Sequence, residues 1–158
     1  MEKTHINRID LNILRELQRD ARITYSELAK RVGLSTSPCV ERVKRMEREG
    51  IIKNYSTVLD PKKLNAGLVV FVQIRLQRSS KDIFRQFKEA IQNVPEVQEC
   101  FLVSGNFDYL IKARVADMTE YHQFLVETLL TLPDVHESTS YAVMEDVKET
   151  SAIALKSG

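Results

Sequence analysis

Apolar residues recur at helical spacing through the first third of the chain and at strand spacing through much of the remainder. In the first third they repeat every three or four residues, the interval that places side chains on one face of a helix. Three short helices with such faces can bury them against one another in a small domain. The predicted apolar faces are Ile6, Ile9, Ile13, Leu14 and Leu17 in the first helix, Tyr25, Leu28, Ala29 and Val32 in the second, and Val40, Val43 and Met46 in the third.

The second and third helices are separated by signals for a sharp turn. Thr24 and Glu27 have the spacing of a capping box at the start of the second helix, and Gly33 is suited to end it in a left-handed conformation. Ser35 is expected to cap the third helix. Residues 25–44 therefore have the pattern of a helix-turn-helix, which predicts DNA binding.

The third helix begins with hydroxyl side chains and continues with cations on its outer surface. A helix that enters the major groove reads bases with its N-terminal side chains and holds phosphates with its flanks. The same cations in an ordinary amphipathic hairpin would be a solvated face, and their position just after the hydroxyls favours phosphate contacts. The predicted DNA-binding residues are Ser35, Thr36, Ser37, Glu41, Arg42, Lys44 and Arg45.

The sequence after Gly50 changes to strand character, and the run Ile51–Leu59 predicts a β linker of the kind found in a winged helix-turn-helix. Residues 1–60 contain 12 Lys and Arg against nine Asp and Glu, a modest basic excess in a chain whose net charge is +1. So small an excess favours an oligomer that presents several copies of this domain to one DNA duplex.

A proline and a glycine between Asp60 and Gly67 mark a domain boundary, so the predicted domains are residues 1–60 and 61–158. The second domain has the order β-α-β-β-α-β, the split unit whose sheet carries helices on one face and leaves the other open. The predicted class is therefore α+β. The elements are strand 68–76, a helix that Ser79 and Ser80 cap and that Asn93 and Pro95 end, strands 97–104 and 109–115, helix 118–132 and strand 135–144, with a short edge strand at 150–155.

Taken together, these motifs resemble the Lrp/AsnC (feast/famine) family of transcription regulators over nearly the whole chain. In the first domain the resemblance rests on the first-helix pairs Ile9-Asp10, Ile13-Leu14 and Leu17-Gln18, and on two runs, Leu28-Ala29-Lys30-Arg31-Val32-Gly33-Leu34-Ser35 and Pro38-Cys39-Val40-Glu41-Arg42-Val43-Lys44-Arg45-Met46-Glu47. In the second domain it rests on Leu102-Val103-Ser104-Gly105-Asn106-Phe107-Asp108-Tyr109-Leu110 and Tyr141-Ala142-Val143-Met144-Glu145.

The resemblance implies a ferredoxin-like ligand-sensing (RAM) domain that binds an amino acid, leucine or a related one. It also implies homodimers that assemble into a larger ring, often an octamer, with the amino acid bound between dimers. Carried over by position, the effector-binding residues would be Leu102, Gly105, Asp108, Met118, Tyr141 and Val143.

Asp108 suits an amino-acid effector chemically. A carboxylate in a tight turn can accept the ligand's ammonium group while free backbone amides of the same turn take its carboxylate. The alternative is a turn residue that bonds to its own backbone, as aspartate in turns commonly does. The resemblance favours the effector role.

Other kinds of site have little support. Cys39 and Cys100 lack metal-binding spacing and are expected to be buried free thiols. No spacing joins the histidines into a metal site, and no catalytic motif or glycine-rich phosphate loop is present, so we expect no catalytic residues, metal or cofactor. No apolar run is long enough for a membrane span and no signal peptide is recognisable, which predicts a cytoplasmic protein. The predicted DNA binding makes association with the nucleoid the expectation.

Three classes of function fit these observations to different degrees. The preferred one is a sequence-specific, amino-acid-responsive transcription regulator that acts on double-stranded DNA and controls genes of amino-acid metabolism. The alternative is an architectural, DNA-wrapping protein with little base specificity. An enzyme built on the ferredoxin-like domain is a distant third, because no nucleophile, base or anion cradle is visible.

Overall fold

The computed structural model describes residues 6–77 and 82–156, which form two compact units. The first unit contains the chain up to Val58 together with the segment from Glu149 onward, and the second covers Leu59–Lys148. The structure therefore differs from the predicted division, in which all of 61–158 belonged to the second domain.

The first unit contains the three predicted helices, each begun by a polar residue in extended conformation. Asn7 and Asp10 form a full capping box at the first helix. At the second, the Thr24 hydroxyl accepts from the Glu27 amide at 3.3 Å, while the Glu27 carboxylate binds Arg31 rather than completing a box. The bounds are α1 Arg8–Arg19, α2 Tyr25–Val32 and α3 Thr36–Arg48, with Gly33 at φ 72° between α2 and α3.

The core of the first unit lies between these helices. On α3 the predicted inward face begins one residue too late, because Cys39 is fully buried whereas Val40 is only half-buried. Ser35 occupies the N-cap position of α3, but its hydroxyl makes no capping bond within the described part of the chain. The buried apolar residues are Ile13, Leu28, Ala29, Cys39, Val43 and Met46.

The prediction of a strand at Ile51–Leu59 is wrong, because the structure has no strand there. Ile51 and Ile52 are half-buried and pack against the first unit's core, whereas residues 53–60 are exposed and form no ladder with any described segment. A strand needs a neighbour to accept its backbone hydrogen bonds, and the described residues supply none at this position.

The segment 149–156 runs along α1 instead of forming the predicted edge strand. The Gln18 side-chain amide exchanges two hydrogen bonds with the backbone of Ile153, at 2.6 and 3.2 Å. Arg15 donates to the carbonyl of Leu155 at 2.9 Å. Side chains of α1 thus hold the backbone of this segment within the first unit.

The second unit has the predicted β-α-β-β-α-β order, which confirms the α+β, ferredoxin-like expectation. All strand pairs are antiparallel, and the spatial order β2-β3-β1-β4 places the first strand in the interior of the sheet. The bounds are β1 Leu68–Leu76, α4 Ile83–Ile91, β2 Val97–Leu102, β3 Tyr109–Val115, α5 Met118–Glu127 and β4 Val135–Ala142. The predicted caps Ser79 and Ser80 lie outside the described residues.

The predicted helix at 118–132 is divided in the structure. Asp117 caps its start by accepting from the amides of Thr119 and Glu120, as the acidic capping pair predicts. The α-helix ends at Glu127, and the remaining stretch forms a short 3₁₀ turn at Leu129–Thr131.

Strand alternation gives the sheet two different faces. The face toward α4 and α5 buries Val70, Val72 and Ile74 of β1 together with Ile111 of β3 and Phe87 of α4. The opposite face, here called the open face, has no covering element among the described residues of this unit. Its apolar members are Val69, Phe71, Phe101, Leu110 and Tyr141, placed there by the strand register.

Candidate functional site

The N-terminal end of α3 presents the hydroxyl side chains that the helix-turn-helix pattern singled out. Ser35, Thr36 and Ser37 are all exposed, and Glu41 and Lys44 are exposed one and two turns further along the helix. This end of α3 is therefore accessible to a large ligand.

Arg42 and Arg45 lie differently from the other predicted DNA-binding residues. The sequence pattern places them on the outward face, but the structure turns both guanidinium groups toward Asp10 of α1. Arg42 Nη1 is 3.0 Å from Asp10 Oδ1, and Arg45 Nη2 is 2.7 Å from Asp10 Oδ2. The Asp10 side chain is 0% exposed, whereas those of Arg42 and Arg45 are 31% and 32% exposed. One buried carboxylate thus links α1 to two cations of α3.

The Asp10 carboxylate is fixed from its own helix as well. Its Oδ2 accepts from the Asn7 amide at 3.1 Å, in the capping box at the start of α1. Burial by itself would raise the pKa of Asp10, but the bonds from the Asn7 amide and from the two guanidinium groups outweigh it and hold the pKa below the usual range. Asp10 is therefore an ionised, buried anchor.

Sequence reasoning missed this anchor because its partners are 32 and 35 residues away. The available signal was a carboxylate at the third position of α1, on the side of the apolar face.

The turn between β2 and β3 contains Gly105 and Asp108, two of the expected effector residues. Asp108 Oδ2 accepts from the Leu76 amide at 2.8 Å, and the Asp108 amide donates to the Ile74 carbonyl. Asp108 therefore fastens the turn to β1 rather than bonding within its own turn. This side-chain bond uses only one of the two carboxylate oxygens. Its Oδ1 has no protein partner among the described residues and is accessible to a donor.

Arg75 holds the same turn from the open face and was not singled out by the sequence. Its Nε and Nη2 donate to the Asn106 carbonyl at 3.0 and 2.5 Å, and its Nη1 lies 2.8 Å from Glu137 Oε2 on β4. The available signal was a lone cation near the end of an otherwise largely apolar central strand.

A shallow pocket of about 210 Å³ lies at this turn. Within the described chain, the amides of Gly105, Asn106 and Phe107 donate no hydrogen bond to the protein. These amides and the second oxygen of Asp108 are complementary to the carboxylate and ammonium groups of an amino acid. The pocket is lined by Arg75, Leu76, Gly105, Asn106, Phe107 and Asp108.

The six expected effector residues do not meet within one chain. Leu102 pairs with Tyr109 beside the turn, near the Leu76 end of β1. Val143 bonds to Val69 near the other end of β1, where Met118 also follows β3. At about 3.3 Å per residue, the ends of β1 at Leu68 and Leu76 are roughly 26 Å apart. A single amino acid cannot contact both ends of one sheet.

The remaining candidates carry no chemistry of their own. Cys39 and Cys100 are free thiols, as predicted, but only Cys39 is fully buried. Burial raises the pKa of both thiols, that of Cys100 to about 11, so neither is a ready nucleophile. In the described residues no cluster of His, Cys, Asp and Glu is arranged to hold a metal ion, and no helix is long and apolar enough to cross a membrane.

Two protein-family models match the chain, one in each part. The Lrp/AsnC ligand binding domain matches residues 69–153, and a winged helix-turn-helix DNA-binding model matches residues 6–53. The first model covers more than half of the sequence and overlaps the sheet, the turn and the pocket described above. The second covers α1, α2, α3 and the start of the segment that follows.

Curated proteins and solved structures agree with these models. The chain is 54% identical to the leucine-responsive regulatory proteins of Escherichia coli K12 and Klebsiella pneumoniae, over 96% of this chain and 92% of theirs. A transcriptional regulator from Neisseria meningitidis, solved in complex with L-Met, matches with a TM-score of 0.91 and 35% identity over 95% of this chain and 97% of that one. An AsnC family regulator from Agrobacterium tumefaciens matches with a TM-score of 0.90 and 36% identity over 94% and 97%.

The buried Asp10 carboxylate predicts acid sensitivity of the first unit. Because its pKa is lower when folded than when unfolded, its contribution to stability is present above about pH 4 and is lost as the pH falls through the folded pKa. We expect Asp10→Asn to lower the free energy of unfolding more at pH 6 than at pH 3, because below about pH 4 the unfolded wild-type chain binds a proton at Asp10 that folding must release. Urea unfolding followed by the methyl NMR signals of Ile13 and Val43 measures this, and equal losses at both pH values would contradict the assignment.

Proposed function

The chain belongs to the Lrp/AsnC family of transcriptional regulators, and we propose that it binds specific DNA sites through α3 and responds to leucine or a related apolar amino acid. The family models establish a DNA-binding domain followed by a ligand-binding domain, and the relatives are regulators rather than enzymes. The amino-acid effector is inferred from the names of the relatives, one of which was solved with L-Met. Its place of action would be the cytoplasm, at the nucleoid.

The observation that supports direct base reading is the exposed hydroxyl cluster at the start of α3. Ser35, Thr36 and Ser37 would reach base edges in the major groove, with Glu41 as a further reader. Lys44 would hold a phosphate directly, and Arg42 and Arg45 would add contacts through their exposed thirds. The architectural alternative would use the phosphate contacts alone.

Substitutions on α3 separate these two kinds of contact. Lys44→Ala is expected to weaken binding to all sequences and to reduce the slope of log K against log salt by about 0.9, the value for one phosphate. Ser37→Ala is expected to change the preference among sites, where each mismatched base pair typically costs about 1–3 kcal/mol of binding free energy. Fluorescence anisotropy with a selected site and random DNA measures both, and Lys88→Ala on α4 is the control lysine.

A specific regulator should bind its site roughly 10³-fold or more tightly than random DNA at the same salt concentration. A ratio near one, with Ser37→Ala indistinguishable from the wild type on every sequence, would support the architectural function instead.

The open face supports assembly into homodimers. Phe71 is 36% exposed, and Phe101 and Tyr141 are each about half exposed on the same face. Burying such a face against a second copy would remove these rings from water and stabilise the dimer by about 25 cal/mol for each Å² of apolar surface buried. We propose dimers joined through this face, which assemble further into a ring, with an octamer as the expected size.

A charge placed on the open face tests this arrangement. Phe71→Glu is expected to give a monomer, because the dimer would have to bury the new carboxylate. Phe84→Glu is the matched control, since Phe84 is also 36% exposed but lies on α4, which packs on the other face of the sheet. Sedimentation velocity measures the mass of both, and an unchanged assembly for Phe71→Glu would contradict the proposed interface.

The effector would then bind between chains. Leu102, Gly105 and Asp108 lie near one end of the sheet, Met118 and Val143 near the other, and Tyr141 is paired with Phe71 between them. Two copies that bring opposite ends together can supply all six residues to one ligand. Asp108 and the free amides of its turn would hold the polar groups, and Leu102, Met118 and Val143 would contact the apolar side chain.

Asp108→Asn tests the polar half of this site. Asparagine keeps an oxygen for the Leu76 amide but loses the charge that attracts an ammonium group. We expect DNA binding to be retained and the amino-acid response to be lost, measured by calorimetry with leucine and methionine and by sedimentation with each ligand. Asp146→Asn, an exposed carboxylate beyond β4, is the control. A normal response in Asp108→Asn would place the effector elsewhere.

A further inference from the structure

The linkage between α1 and α3 has a consequence for how strongly DNA is attracted. Arg42 and Arg45 are three residues apart on α3, and each gives one guanidinium nitrogen to a different oxygen of Asp10. The carboxylate has no exposed surface, whereas each arginine side chain keeps about a third of its surface in solvent. The cluster therefore presents two cationic side chains to solvent while carrying a net charge of only +1.

We propose that Asp10 is a positioning residue for DNA binding, which holds Arg42 and Arg45 in place on the recognition helix and offsets one of their two charges. This inference rests on the phosphate contacts proposed above for the two arginines. Its consequence is a lower affinity for random DNA, because attraction to the phosphate backbone is independent of sequence. Discrimination between a specific site and random DNA then depends more on the hydroxyl side chains at the start of α3.

The geometry gives Asp10 little freedom to release its partners. Its carboxylate also accepts from the Asn7 amide, and the Asn7 side chain in turn accepts from the Asp10 amide at 3.0 Å. A DNA phosphate must therefore approach the arginines from their exposed side, while the carboxylate stays in place behind them. A buried carboxylate left without its cations would be strongly destabilising, which maintains the pairing when DNA is bound.

The test compares two carboxylates of α1. Asp10→Asn removes the charge behind Arg42 and Arg45 and is expected to steepen the slope of log K against log salt by about 0.9 on random DNA, with tighter binding at low salt. Glu16→Gln is the matched control, because Glu16 also binds two arginines, Arg19 and Arg31, neither of which is on α3. Its slope should equal that of the wild type. If both variants share the wild-type slope, the proposal is overturned.

Two further variants keep the proposal testable if repulsion between Arg42 and Arg45 prevents Asp10→Asn from folding, which its circular dichroism melting curve would show. Arg42→Gln retains the Asp10–Arg45 pair and should flatten the slope by about 0.9. Asp10→Asn combined with Arg42→Gln removes one charge of each sign, so its slope should equal the wild-type slope. A double variant as flat as Arg42→Gln would show that Asp10 offsets nothing, and would overturn the inference while leaving the phosphate contact intact.

An unchanged slope for Arg42→Gln alone would instead remove the phosphate contact itself. In that case both the inference and the role proposed for Arg42 fail, whereas the role of Lys44 is unaffected. A purely structural role for Asp10 would lower the melting temperature in Asp10→Asn without moving the salt slope, so the two measurements distinguish positioning from simple stabilisation.

Discussion

Two helices packed on a four-stranded sheet can cover only one of its faces, and the organisation of the second unit follows from this constraint. The covered face contains the buried core, built from alternate residues of β1 and β3 with Phe87 of α4. The other face keeps Phe71 and Tyr141 side by side on paired strands. A sheet with aromatic residues on its uncovered face is suited to association with a second sheet. The proposed dimer, the ring and the shared effector site all depend on that face, which no described element of the second unit covers.

The first unit is governed by a different constraint, because its core is small. Only six apolar residues are buried among α1, α2 and α3, and small domains have little hydrophobic stabilisation to spare. Asp10 adds a linkage between α1 and α3, and the Gln18 contacts with Ile153 add the C-terminal segment to the same unit. In the first of these contacts the group that fixes α3 also offsets part of its positive charge, so protein stability and the proposed DNA affinity would both depend on one residue.

Most local structure could be predicted from the sequence, because it depends on neighbours within a few positions. The β3 bounds, Tyr109–Val115, match the apolar run, and Asp117 caps α5 as its spacing with Glu120 indicates. The failures depend on distant partners. Asp10 is a first-turn carboxylate until α3 is folded against it, and Ile51–Leu59 has strand composition but no strand to pair with among the described residues. The paths of 149–156 and of the Arg75 side chain are likewise decided by contacts far along the chain.

A shared effector site has a thermodynamic consequence that a site within one chain would lack. If the turn holding Asp108 supplies one half of the site and a second copy supplies the half near Met118, the amino acid binds only the assembled form. Ligand then shifts the assembly equilibrium by mass action, and assembly raises ligand affinity by the same factor. Because each helix-turn-helix unit has only a small excess of positive charge, its affinity for DNA would depend on how many copies bind together. An amino acid that alters assembly therefore alters DNA binding without touching α3, and the signal needs no path through the interior of a single subunit.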